Sequence, residues 1–268
     1  MPASDIIDRA ALVRDLVAAV REAGALALMS FKGPIKSWFK GGNSPVSEAD
    51  LAVDALLRDR LQAALPGGWL SEETEDDPAR LASKRVWIVD PIDGTRAFLA
   101  GLPDWTIAVA LAEAGRPVLA AIFAPVADEM FLASVGGGAT CNDRPIAASD
   151  GTSLSGVRVA GPKRYIDALA AVVPDVQPQP KVHSLALRFA RVAQGRLDIA
   201  FAGTNAHDWD LAAADLLVHE AHGALTTLAG ETLIYNRPKP THGALLAAGR
   251  SRHEALCELA RGGRIAFR

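Results

Sequence analysis

The run Asp90-Pro91-Ile92-Asp93-Gly94-Thr95 sets two carboxylates at the mouth of a tight turn. The preceding Val86-Trp87-Ile88-Val89 is β-branched or aromatic and predicts a buried strand. Gly94 supplies the backbone freedom for a sharp turn, and Arg96-Ala97-Phe98-Leu99 predicts the start of a short helix. Two acids at i and i+3, with a proline fixing φ between them, can aim at one point in space. Gathering carboxylates is costly unless cations compensate them, and hard divalent ions prefer carboxylate oxygens. The amides of Gly94 and Thr95 would open the helix, where a phosphate is favoured. A metal beside a phosphate is the apparatus of phosphoester hydrolysis. Taken alone, the run reads equally as a turn with a helix cap. A calcium loop is excluded, because the spacing differs from D-x-D-x-D-G and the twelfth position counted from Asp90 is Gly101.

Three other stretches can complete the cluster. Trp69-Leu70-Ser71-Glu72-Glu73-Thr74 brings paired acids after a short apolar run. Asp208-Trp209-Asp210-Leu211-Ala212-Ala213-Ala214-Asp215 opens an apolar helical segment and places Asp210 near its N-terminus. Ser44-Pro45-Val46-Ser47-Glu48-Ala49-Asp50 leads into the helical pattern Leu51, Asp54, Leu57, Leu61. In this order (Glu-Glu, then DPIDGT, then WD-x-AA-x-D) the motifs resemble the inositol monophosphatase family of magnesium-dependent, lithium-sensitive phosphomonoesterases. The resemblance runs from about residue 20 to the end of the chain.

The resemblance implies a role for each position. Glu72 matches the first metal-binding glutamate, Asp90 and Asp93 the bridging and second-metal aspartates, and Asp210 the aspartate from the second half. The backbone carbonyl of Ile92 matches a further ligand. Two or three Mg2+ ions are what the family uses, and four acids at one site call for such compensation. Thr95 matches the threonine that orients the attacking water, and Asp50 the acid that holds it; Glu72 can also accept the water's proton. Glu73 would orient a metal water. Lys40 sits where relatives carry a basic residue near the metals, although a lone lysine reads as solvated surface.

Substrate contacts are expected at Gly94, Thr95, Arg96, Ser184 and Asp210, with Asp208 as an auxiliary. The substrate implied is a small phosphorylated metabolite, inositol monophosphate-like. Two departures keep alternatives open. Arg96 follows D-G-T, as is more usual in 3′(2′),5′-bisphosphate nucleotidases and some histidinol-phosphate phosphatases. Gly203 stands where inositol enzymes tend to carry a sugar-binding glutamate. A non-enzymatic metal-binding relative, or an assembly protein with a merely solvated acidic surface, would not need the complete acid set.

Composition bounds these readings. With 268 residues, half of them hydrophobic and 22% charged, the chain is an ordinary globular protein without a disorder signal. A net charge of −3 offers no basic field for a nucleic acid polymer. Cys141 and Cys257 lack metal-ligand spacing and fit a reduced, cytoplasmic setting better than a disulfide. Charged residues within the first 14 positions argue against a signal peptide, and the apolar stretch Ala23 to Met29 is too short to span a bilayer. The family resemblance adds an expected homodimer. His219 and His222 have zinc-like spacing but no third ligand, and read as surface or interface residues. His222 also stands where the family usually has glycine. Trp209 reads as a core residue fixing Asp210, and Trp105 as core.

The elements that must position the acids follow from periodicity. Residues 5 to 31 and 48 to 64 predict amphipathic helices joined by a glycine-rich loop. Residues 105 to 111, 117 to 123 and 129 to 133 predict a meander continuing from the strand before Asp90. Gly136-Gly137-Gly138 reads as a turn, since no Gly-Lys-Ser/Thr follows. Beyond residue 155, short strands alternate with helices at 162–172, 184–193, 210–221 and 253–261, and Pro174 to Pro180 is the nearest thing to a linker. Alternation of this kind predicts a mixed sheet. The resemblance implies an α/β layered sandwich (α-β-α-β-α), its antiparallel sheet in an N-terminal half (1–150) carrying most metal ligands and its mixed sheet in a C-terminal half (151–268) that completes the active site.

Overall fold

A computed structural model describes residues 8–40 and 44–265. Residues 5–7 of the predicted first helix, and Gly41-Gly42-Asn43 of the predicted loop, lie outside the described residues. Helix α1 (Arg9–Ser30) starts at Asp8, whose carboxylate accepts from the amides of Ala10 and Ala11. A hairpin of β1 (Ser37–Lys40) and β2 (Ser44–Ser47) leads into α2 (Glu48–Ala64).

A seven-stranded sheet follows in spatial order β3 (Gly68–Ser71), β4 (Arg85–Asp93), β5 (Thr106–Glu113), β6 (Arg116–Ala124), β7 (Glu129–Ser134), β8 (Gly138–Cys141) and β9 (Arg144–Pro145). Short helix α3 (Thr95–Leu99) sits between β4 and β5. The pairings are antiparallel except the first, where β3 runs parallel to β4. That exception corrects the all-antiparallel expectation. Between these strands the chain passes through an acidic segment and a 3-10 turn at Pro78–Ala82, a crossover rather than a hairpin.

The second sheet is built from β10 (Arg158–Ala160), β11 (Gln177–Pro178), β12 (Ile199–Ala202), β14 (Gly223–Thr227) and β16 (Leu245–Gly249), in the order β11-β10-β12-β16-β14. It is mixed, as expected: β10 is parallel to β11 and β12, and β16 is antiparallel to β12 and β14. The proline-rich segment is therefore an edge strand and not a linker, which suits prolines that cannot donate to a ladder. A two-residue ladder joins β13 (Ala206–His207) to β15 (Thr241–His242). The remaining helices are α4 (Lys163–Ala170), α5 (Leu185–Ala193), α6 (Asp208–Glu220) and α7 (Arg250–Arg261).

Side-chain alternation sorts these elements into layers. On β5, Ile107, Val109 and Leu111 face a core shared with Leu16 and Val20 of α1 and Val53 and Leu57 of α2. Ala108, Ala110 and Ala112 face the other way, against Leu211 to Ala214 of α6. Small residues on both sides let that helix press close to the sheet. Helices α5 and α6 thus form the middle layer, while Tyr165 and Leu169 of α4 and Leu256 of α7 cover the outer face of the second sheet. The sequence of layers is α-β-α-β-α. Among the described residues no helix is long and apolar enough to cross a membrane. Cys141 and Cys257 are buried free thiols.

Candidate metal and active site

The two motif aspartates converge because β4 is bulged. Asp90 pairs with Ala108 and Asp93 with Thr106, so three steps on β4 oppose two on β5. In a regular strand, residues i and i+3 point to opposite faces. One extra residue restores the match and turns both carboxylates to the same face. Pro91, which has no N–H to lose from the ladder, lies inside this irregularity. Gly94 then closes the turn with φ of 95°, and a Cβ there would meet the backbone nitrogen of Ser184 at 3.2 Å. Both the left-handed φ and the close approach call for glycine.

Each acid is held differently. Asp93 accepts from the amides of Leu185 (3.1 Å) and Ala186 (2.6 Å) and from Ser184 Oγ (2.5 Å), so it caps the N-terminus of α5. Asp210 lies in the first turn of α6 and accepts from the backbone amide of His207 at 2.6 Å. Asp90 is only 1% exposed, and neither of its carboxylate oxygens has a hydrogen-bond partner. Ligand atoms of Asp90, Asp93 and Asp210 lie within 4.8 Å of one another. A buried, unpartnered carboxylate between two others is strongly disfavoured on its own, and the donor set is all oxygen. These residues fit a hard divalent cation.

Glu72 stands at the rim of this cluster. Lys40 Nζ donates to the Glu72 carbonyl at 2.7 Å, pairs with Glu73 Oε1 at 2.6 Å and lies 3.7 Å from Glu72 Oε1. The structure therefore places Lys40 beside the acids, against its reading as plain solvated surface, and Glu73 is its nearest anion. The turn that carries both glutamates is braced from α2. Asp54 accepts from Ser71 Oγ and Thr74 Oγ1, each at 2.5 Å. One helical turn earlier, Asp50 accepts from the amide and hydroxyl of Ser47 and takes Thr95 Oγ1 at 3.2 Å. Thr95 Oγ1 is also 3.1 Å from the Ile92 carbonyl.

Electrostatics follow from burial. Desolvation, reinforced by Glu72, Asp93 and Asp210, holds the Asp90 carboxyl well above the usual carboxylate range. Desolvation and then Asp93 do the same to Asp210. Glu72 is pushed up to about 7, by burial first, with Lys40 pulling it down and Glu73 pushing it up. Asp50 is raised by burial against the hydrogen bonds of Ser47. For Asp93, burial outweighs the bonds from Ser184 and the first amides of α5, while the partly buried guanidinium of Arg188 draws it down. These upward shifts share one cause, carboxyls gathered out of water, and a bound cation would offset it.

A cleft of about 210 Å3 is lined by Glu72, Asp90, Asp93, Asp210, Thr95 and Arg96, with Gly94, Pro45, Lys181 and His183 completing its wall. Two expected substrate contacts lie elsewhere. Ser184 is 0% exposed and its hydroxyl is occupied by Asp93 and Thr106, because it caps α5 and faces inward. Asp208 is likewise buried, accepting from the Asn236 amide and from His242 Nε2, both at 2.7 Å. Trp209 is only partly buried and stacks on His207 at 4.5 Å, whereas Trp105 packs in the core against Phe31 and Phe98. His219 meets Asp215 at 3.0 Å, and the exposed His222 adopts a left-handed φ of 64°. Lys181, Asp104 and Arg188 had no local signal. A lysine after a proline-rich stretch and an arginine inside a helix become site residues only through the docking of α5.

This chain belongs to the inositol monophosphatase family, whose profile matches residues 8–263. Inositol-1-monophosphatase from Rhizobium meliloti (strain 1021) is 37% identical to it over 235 residues, 83% of this chain and 87% of that protein. The Nus factor SuhB of Escherichia coli (strain K12) is 29% identical over 225 residues, 80% and 84% of the two chains. The solved structure of the extragenic suppressor protein suhB from Bartonella henselae superposes with a TM-score of 0.82 at 29% identity, over 93% of this chain and 98% of that one. The family's name and that of the Rhizobium relative are those of phosphatases.

Proposed function

We propose that the chain is a magnesium-dependent phosphomonoesterase releasing phosphate from a small phosphorylated metabolite, with inositol 1-phosphate the first substrate to try on the strength of the Rhizobium relative's name. Asp90 carries the reading: a fully buried acid with no hydrogen-bond partner, set between two more acids. In this reading Glu72, Asp90, Asp93, Asp210 and the Ile92 carbonyl hold two or three Mg2+ ions. Bound magnesium would supply positive charge against the phosphoryl oxygens and would acidify water.

The chain's own groups do the remaining work. Thr95 Oγ1, directed at Asp50, keeps its lone pairs for the attacking water and so fixes the line of attack on phosphorus. The proton released has two acceptors, Asp50 through Thr95 and Glu72, whose carboxyl titrates close to neutral pH. The amides of Gly94 and Thr95 and the side chain of Arg96 cradle the phosphoryl group, and Asp210 stands on the side where the alcohol departs with a proton from water. No covalent enzyme intermediate is needed. Lithium inhibition, a homodimer, a cytoplasmic location and a division of labour between residues 1–150 and 151–268 belong to the same proposal.

Relatives named Nus factor SuhB favour a second reading, in which the fold serves as a protein partner. The complete set of acids favours the enzyme. Phosphate release from inositol 1-phosphate, histidinol phosphate and glycerol 2-phosphate should vanish on chelation and return with Mg2+. No release from any of them, or from adenosine 3′,5′-bisphosphate, at saturating Mg2+ would overturn the phosphatase.

A further inference from the structure

His183 lines the acidic cleft together with Glu72, Asp93, Thr95 and Asp210. At about 210 Å3 the cleft is smaller than an ordinary ligand pocket, so an ester bound there meets all of its walls. Asp104 grips this histidine twice: its Oδ2 accepts from the backbone amide of His183 at 2.6 Å and from the ring Nδ1 at 2.7 Å. A carboxylate on Nδ1 fixes a proton there, favours the imidazolium form and leaves Nε2 as the nitrogen that can exchange one. Nε2 has no hydrogen-bond partner among the described residues. The side chains of His183 and Asp104 are 28% and 22% exposed, so the pair is half-buried and yet open to the cleft.

The ring sits on a firm mount. The amide of Ser184 donates to the Asp104 carbonyl at 3.1 Å, and its hydroxyl is spent on Asp93 and Thr106. One residue before His183, the Val182 carbonyl accepts from Arg188 Nη2 at 2.7 Å. The same segment lies against the turn that opens α3, since a Cβ on Gly94 would meet the Asp104 carbonyl oxygen at 3.4 Å as well as the Ser184 nitrogen. Three other histidines among the described residues approach an aspartate: His207 lies 3.9 Å from Asp210, His219 3.0 Å from Asp215 and His242 2.7 Å from Asp208. None of the three lines the cleft. Aspartate–histidine pairs thus recur in this chain, and it is the placement of His183 that sets its pair apart.

We propose that His183, oriented by Asp104, is the proton donor to the leaving alcohol. The inference rests on the phosphatase reading and supplies the source of a proton that the reading leaves to water. As the attacking water's oxygen bonds to phosphorus, the bond from phosphorus to the ester oxygen breaks and its electron pair stays on the departing oxygen. His183 Nε2–H gives that oxygen its proton, directly or across the one water beside Asp210. The attacking water's own proton goes to Glu72 or Asp50, so the two transfers use separate groups. The ring is left neutral with Nδ1–H still on Asp104, and it regains its proton from solvent at its exposed edge. Arg96 and Lys181 are the other N–H donors on the wall. Guanidinium and ammonium groups, however, give up a proton far less readily than an imidazolium.

The test varies the leaving group. Glycerol 2-phosphate expels an alkoxide, which needs a proton as it departs, whereas p-nitrophenyl phosphate and the smaller acetyl phosphate expel stable anions, which do not. Specificity constants for all three are measured with Mg2+ on the parent, His183→Gln and Asp104→Asn. Each protein is assayed in one preparation, so any loss of folded molecules cancels in the ratios. Glutamine keeps an N–H donor of similar reach but has no proton to transfer. His183→Gln should lower the value for glycerol 2-phosphate about a hundredfold and those for the two activated esters by less than about threefold. Asp104→Asn should show the same split at about tenfold, as expected of a residue that acts by orienting the ring. Equal losses on all three esters would make His183 a phosphate contact or a structural residue and overturn the proposal, as would an unchanged variant. A parent that cleaves only the activated esters also overturns it and leaves the phosphatase standing. A parent that cleaves none overturns both.

Discussion

Asp90→Asn keeps the side chain's volume and removes one of three carboxylates whose ligand atoms lie within 4.8 Å of one another. At that distance two unit charges repel by about 3.5 kcal/mol at an effective dielectric of 20. Burial and mutual repulsion push these carboxyls up from their ordinary range, and relief of roughly half of that pairwise repulsion is worth about 2 kcal/mol. In a chain of this length each kcal/mol moves the melting midpoint by about 2–4 °C. The chelated variant should therefore melt about 4–8 °C above the chelated parent. Magnesium should raise the parent's midpoint and leave the variant's almost unmoved, since ligand binding stabilises only the protein that binds it. Turnover at saturating Mg2+ should fall at least about a hundredfold, the scale on which a major electrostatic group is lost. Thermal melts in chelator and in Mg2+, beside phosphate-release assays, read all three effects. A variant that melts below the parent without metal, or keeps near-normal turnover with it, refutes the assignment of Asp90.

Stability of the chelated protein should fall as pH rises from 5 to 7.5. Glu72 titrates near 7 when folded against 4.5 as its ordinary value, so the folded state binds more protons in that window; this group alone costs up to about 3 kcal/mol. Asp198, held down to about 2 by Arg158, acts with the opposite sign below the window, and His253, pushed down to about 4 by burial, acts with the opposite sign inside it up to about pH 6.5. A flat or rising melting profile between about pH 6.5 and 7.5, where Glu72 acts without that opposition, would contradict the prediction. Thr95→Ala should lower kcat by about a hundredfold with little change in KM, and Thr95→Ser should restore most of it; a loss confined to KM would make Thr95 a binding residue only. Lithium should inhibit at high Mg2+ by replacing one cation and trapping phosphate, and steady-state assays across lithium concentrations decide that point.

Local chemistry made the centre of the site legible. The β-branched run into Asp90, the glycine at a left-handed turn and the alanine-rich helix behind Asp210 each carry a short-range signal. The strands and helices around them follow from periods of 2 and 3.6, so the layered sandwich was readable from spacing and family pattern together. Residues whose role depends on what docks against them were not. Ser184 and Asp208 read as polar groups free for a substrate, yet both are spent inside the protein, one on Asp93 and one on His242. Lys40 as a lone lysine read as surface because nothing in the sequence of β1 announces that its last residue will lie beside Glu72 and Glu73. The parallel pairing of β3 with β4 depends on the course of the intervening crossover, and the β4 bulge shows only as a proline between two acids.

The bonds between Asp93 and α5 bear on how the protein is made. Its three donors lie 91 to 93 residues further along the chain. While the chain emerges from a ribosome, the first sheet can form with Asp90 and Asp93 already side by side but with neither α5 to hold Asp93 nor α6 to bring Asp210. A nascent or truncated chain thus has a repulsive, partial acid cluster that loses its repulsion only by taking up protons. On the proposed function, tight cation capture would report that the last layers have docked, and the ion would be a seal on a finished molecule rather than a seed for its folding.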